Sequence, residues 1–90
     1  MSRTVYKINP DVPNLSARAG LTLKAFAEHA GIAESTLHAL LHPEQHPHRT
    51  RGGMRRITAW RLAKAYAQAA GISEDAAYRA IIVEETVGDG

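Results

Sequence analysis

The sequence predicts an all-α domain of five short helices, preceded by a short N-terminal strand or arm. Three observations carry that prediction. Ninety residues allow one hydrophobic core and a handful of short elements, with no room for a substrate domain beside a cofactor domain. Sixteen of them are alanine, a strong helix former whose small side chain lets helices pack closely. Apolar residues recur at i, i+3, i+4 and i+7 between glycine and proline breaks, the period of amphipathic helices. A hydrophobic content of 44% suffices to bury a core and argues against disorder.

The elements follow in order. Arg3-Thr4-Val5-Tyr6-Lys7-Ile8 mixes β-branched and aromatic residues with polar ones, so residues 1–11 read as a strand or an extended arm. Asn9-Pro10 and Pro13 break it from a first helix over about Val12 to Ala19, which Gly20 closes. Thr22 is placed to cap a second helix, Leu23 to Ala30, with Leu23, Phe26, Ala27 and Ala30 on one face. Gly31 ends it. A third helix starts near Ala33 or Glu34 and stops at His42, ahead of Pro43. Residues 42–56 hold two prolines, two glycines and no apolar period, which makes them a long basic loop. The fourth helix runs from Thr58 to Ala70, with Ala59, Leu62, Ala63, Tyr66 and Ala69 at core spacing and Gly71 at its end. Ser73-Glu74-Asp75 opens the last helix, with Ala77, Ala80, Ile81 and Glu84 along it and two acids where the helix dipole favours them. A helical core over 12–86 and a fraying tail at 87–90 complete a single domain, 1–90.

The net charge of +2 is unevenly distributed. Residues 46–73 carry six bases (Arg49, Arg51, Arg55, Arg56, Arg61, Lys64) and no acid, whereas 74–90 carry five acids against Arg79 alone. A basic centre of this kind is the electrostatic footprint of a polyanion binder. The absence of cysteine excludes disulfides and thiolate-held metals, and no apolar run approaches a membrane span. With no signal-peptide pattern after Met1, a cytoplasmic location is expected.

Leu23 to His42 is the informative segment. Two short helices flank a tight turn at Gly31, with a small residue, Ala27, four positions before the glycine. Ile32, Leu37, Leu40 and Leu41 supply the apolar contacts that lock the second helix on the first, which is the physical recipe of a helix-turn-helix. The run Thr22-Leu23-Lys24-Ala25-Phe26-Ala27-Glu28-His29-Ala30-Gly31-Ile32-Ala33-Glu34-Ser35-Thr36-Leu37-His38-Ala39-Leu40 resembles the helix-turn-helix of the phage-repressor (Cro-like) family. Leu62-Ala63-Lys64-Ala65-Tyr66 and Gly71-Ile72-Ser73-Glu74-Asp75 resemble the family's fourth and fifth helices, so the likeness covers about 12–83. It departs at His42-Pro43, where a longer loop rich in Arg and His replaces the usual short turn, and at Glu34, where a Gln is common.

The resemblance implies a small transcriptional regulator, a repressor of phage or mobile-element type. It would bind a palindromic duplex as a homodimer, with residues 34–42 as recognition helix in the major groove. At 100° per residue, Leu37, Leu40 and Leu41 form one apolar stripe, while Ser35, His38, Ala39 and His42 share the opposite face. Ser35 and His38 can bond base edges, Ala39 can meet a thymine methyl, and Glu34 can accept from a cytosine amino group; these and His42 are the expected base contacts. Expected backbone contacts are Thr22, Lys24, Thr36, Arg49, Arg51, Arg55 and Arg56, with Gly52-Gly53 bending the loop as a wing onto phosphates or into the minor groove. The dimer could form through the last helix, through Thr4 to Ile8 pairing with its mate, or on the DNA.

Other classes are weaker. His38 and His42 at i, i+4, with His46, His48 and Glu44 beyond, have spacing that can hold zinc, but no obvious ligand set completes it, and no metal or cofactor is expected. Glu34, Ser35 and His38 on an open helix face offer no pocket, so no catalytic residues or small-molecule ligand are expected. The rival is an antitoxin or protein-binding adaptor on the same fold, using Trp60, Tyr66, Tyr78 and Ile81 to Val83; for those residues a core or homodimer role is the favoured assignment.

Overall fold

Local signals set most of the helix boundaries in the computed structural model, which describes residues 2–45 and 53–88. The order is β1 (Ser2–Ile8), α1 (Val12–Arg18), α2 (Leu23–Ala30), α3 (Glu34–Leu41), α4 (Arg56–Ala70), α5 (Glu74–Ile81) and β2 (Ile82–Gly88). The chain is thus mostly helical with a small two-stranded sheet. Side-chain caps open α2 and α5: the Ala25 N–H donates to Thr22 Oγ1 at 3.0 Å, and the Ala76 N–H to Ser73 Oγ at 3.1 Å. α4 begins two residues earlier than its apolar period indicated, at Arg56, and no helix among the described residues is long and apolar enough to cross a membrane.

The C-terminal end corrects the expectation of a helix reaching Glu84. α5 stops at Ile81, and residues 82–88 pair antiparallel with β1 in the register Ile8↔Ile82, Tyr6↔Glu84, Thr4↔Thr86. The helical core therefore ends before 86, and Val87 and Gly88 belong to the strand. Ile82, Val83, Thr86 and Val87 are β-branched, and β1 offers them a ladder that a lone helical turn could not match. The N-terminal segment is accordingly a strand, paired along one edge within its own chain. Asn9 fastens the junction: its N–H donates to the Ile81 carbonyl at 2.7 Å and its amide Nδ2 to the Ala80 carbonyl at 3.1 Å.

One face of this ribbon lies on the helices. Ile8 and Ile82 are buried there, and Glu84 Oε1 accepts a 2.8 Å hydrogen bond from the Tyr78 hydroxyl. On the other face Lys7 Nζ meets Glu85 Oε2 at 2.9 Å beside an exposed Val83. The core joins that ribbon to Val12, Phe26, Leu37, Leu40, Leu62, Tyr66 and Ile81, with Ala27, Ala59, Ala63 and Ala77 at the helix crossings. Methyl side chains at those crossings let backbones approach closely, and this is where the alanine content is used.

Candidate nucleic-acid interface

α2 and α3 form a tight pair because their junction is fully specified by backbone chemistry. Gly31 takes φ +74, a left-handed conformation that any side chain would strain, and a Cβ there would otherwise meet open space. Its N–H donates to the Glu28 carbonyl at 3.1 Å, and the Ile32 N–H to the Ala27 carbonyl at 3.0 Å, closing α2 and redirecting the chain into α3. Ala27, Leu37 and Leu40 are buried and Ile32 and Leu41 half-buried, so the apolar stripe of α3 points inward as its spacing requires.

The opposite side of α3 presents Glu34, Ser35 and His38 to the surface. Glu34 sits in the first turn behind Ala33, which has no capping oxygen, so its carboxylate also stabilises the helix N-terminus. His42 is half-buried: its ring lies 4.7 Å from that of His38, and its Nδ1 is 3.6 Å from Glu44 Oε1. Ala39 corrects the helical-wheel assignment. It is fully buried, and its methyl is not available to a thymine. α3 packs against β1 as well as α2, so more of its circumference is covered than one apolar stripe implies.

Among the expected backbone contacts, Thr22 and Lys24 are exposed at the start of α2, while Thr36 is half-buried within α3. Arg55 and Arg56 are exposed at the N-terminus of α4, whose first turn carries no acid. The Met54 N–H donates to the Tyr6 carbonyl at 2.8 Å, so this arginine pair leaves from the outer edge of β1, the strand that also touches α3. Gly53 serves close approach: a Cβ there would lie 2.7 Å from Val5 Cγ1. Its φ is not in the left-handed region, so the need for glycine here is steric. Arg49, Arg51 and Gly52 lie outside the described residues, as do His46 and His48 of the zinc alternative. Among the described residues no group of three His, Asp or Glu could hold a metal ion.

The surface the adaptor alternative would use is mostly consumed by the core. Tyr66, Ile81 and Ile82 are buried, with Tyr66 stacked at 6.4 Å on Phe26. Trp60 and Tyr78 are half-buried and stack on each other at 4.2 Å and 20°. Burial, together with the hydrogen bond to Glu84 and its charge, pushes the Tyr78 phenol up to about 12. Sequence reasoning missed two anchors near the site, Met54 on β1 and Asn9 on α5. Met54 acts through its backbone N–H and Asn9 through its N–H and side-chain amide, each onto a backbone carbonyl, which leaves no periodic signature.

No family model matches the chain, and no curated protein or solved structure matches it either.

Proposed function

We propose that the chain is a small sequence-specific duplex-DNA-binding protein that regulates transcription, built on a phage-repressor-like helix-turn-helix. The carrying observation is the α2–Gly31–α3 unit, which buries Leu37 and Leu40 while presenting Glu34, Ser35 and His38 outward. Hydroxyl and imidazole groups on one exposed helix face suit the donor and acceptor pattern of a major groove. Thr22 and Lys24 at the α2 N-terminus, and Arg55 and Arg56 at the α4 N-terminus, combine side-chain charge or hydroxyl with the positive end of a helix dipole, the chemistry that holds phosphates. Within this proposal the protein is a repressor, working as a homodimer on a palindromic site, because one such domain reaches few bases.

Selection of bound duplexes from a random pool, followed by salt titration on the winner, tests the proposal. The expected result is one preferred duplex with a steep salt dependence. Replacing Arg55 and Arg56 by Ala should reduce the slope of log affinity against log salt by about 2. Replacing Ser35 and His38 by Ala should instead cost about 1–3 kcal/mol on the preferred duplex and little on others. Equal affinity for all duplexes, or a salt slope unmoved by the arginine changes, refutes it.

A further inference from the structure

Arg61, Lys64 and Gln68 fall on one stripe of α4 at i, i+3 and i+7, and all three are exposed. With His29 of α2 they bound a hollow of about 570 Å³ in which Ala65 is buried. An adjoining hollow of about 330 Å³ shares His29, Ala65 and Gln68 and continues to Leu21 and Ala69. The groove therefore runs from cationic to apolar along about 12 Å of α4. Among the described residues neither cation has an acidic partner, since the ion pairs there are Lys7–Glu85 and His42–Glu44. No acid lies anywhere in residues 46–73.

The complement lies just past the end of the same helix. Beyond Gly71 come Ile72, 41% exposed, and the exposed pair Glu74 and Asp75 in the first turn of α5. The basic stripe and the acidic segment flank the C-terminal end of α4, so a two-fold axis beside Gln68 would set the cations of each copy toward the acids of the other. Symmetry repeats the contact on the other side of the axis, with the exposed Ile72 between the two charged groups. The small side chain of Ala65 lets the helices approach. Gln68 can meet its own mate, because an amide both donates and accepts.

We propose that this groove is a self-association site, in which Arg61 and Lys64 of each copy receive the Ile72–Asp75 segment of the other. The site stands on charge and exposure alone and does not rest on DNA binding.

Sedimentation velocity on the full chain tests it, with circular dichroism showing that each variant keeps wild-type helicity. The wild type should form a reversible dimer, weakened about tenfold or more between about 0.05 M and about 0.5 M salt. R61E/K64E and E74K/D75K should each be monomeric. An equimolar mixture of the two should dimerise, because reversed groove meets reversed segment on one side and native meets native on the other. A wild type monomeric at low salt, a dimer that survives both reversals, or folded variants that fail to associate when mixed each overturns the proposal. So does R61E/K64E if it loses duplex binding while self-association is unchanged, since the groove would then serve DNA. A salt-sensitive dimer that binds no duplex would instead sink only the DNA proposal.

Discussion

The α2–α3 pair and the β1–β2 ribbon are held together in opposite ways. In the first, every bond that shapes the turn is local: Thr22 Oγ1 to the Ala25 N–H, the Gly31 N–H to Glu28, the Ile32 N–H to Ala27. In the second, Ile8 meets Ile82 and Lys7 meets Glu85, contacts between the two ends of the chain. Local bonds close short loops at small entropic cost, whereas pairing the ribbon closes a loop that spans α1 to α5. The candidate reading head is thus built from its own sequence, and the ribbon is built on the packed helices. The ribbon in turn holds α3 and Met54 against β1, so the interface depends on both.

The largest expected effect bears on the helical side. Phe26→Ala removes a fully buried ring between α2 and α4 and should cost about 3–5 kcal/mol in urea unfolding, much of the stability a domain of this size has. If the ribbon is docked as firmly as its burial indicates, Ile82→Ala should cost about 2–4 kcal/mol, and its combination with Ile8→Ala should be less than additive. A cost within about 0.5 kcal/mol, as for an exposed position such as Val83, would show the ribbon to be dispensable.

The glycines separate the two regions more finely. Gly53→Ala drives a methyl into Val5 and should cost about 1–3 kcal/mol through overpacking, loosening Met54 from β1. Gly31→Ala meets open space and should cost only the strain of a left-handed alanine, about 1–2 kcal/mol. Thr22→Ala should lose about 1 kcal/mol with its cap, read from the thermal midpoint.

The smallest effect is a pH dependence that reports on the ribbon. The Tyr78 phenol, ordinarily at 10, is raised to about 12 in the folded chain. Between those values the unfolded chain has lost a proton that the folded chain retains. The contribution is therefore full below pH 10 and declines as pH rises through 10 to 12. Glu84→Gln removes the neighbouring negative charge and should move the tyrosinate absorbance change to lower pH. An unshifted titration would mean that β2 does not hold Glu84 against α5.

Much of the helical architecture was legible because its determinants are short-range. Thr22, Gly31 and the Leu37, Leu40 spacing each announce their role within one or two turns. Ala39 was not legible, because a helical wheel knows one packing partner and α3 has two. The last strand was missed because Glu84 and Glu85 sustain a helical pattern locally, while the ladder that overrides it comes from Thr4 to Ile8 at the other end of the chain. Arg61, Lys64 and Gln68 could have been found as an i, i+3, i+7 stripe, but His29 joins them only through the packing of α2 on α4.

By itself, then, the sequence determined the five helices, the caps of α2 and α5, the stops of all but the last helix, the apolar stripe of α3 and the separation of charge, all of which rest on neighbours within a few residues. Tertiary structure alone decided that the two ends pair as a ribbon, that Ala39 is covered, and that Gly53 and Met54 anchor Arg55 and Arg56 to β1. Those outcomes depend on which distant surfaces meet, and that is settled by burial of the whole core rather than by any local preference.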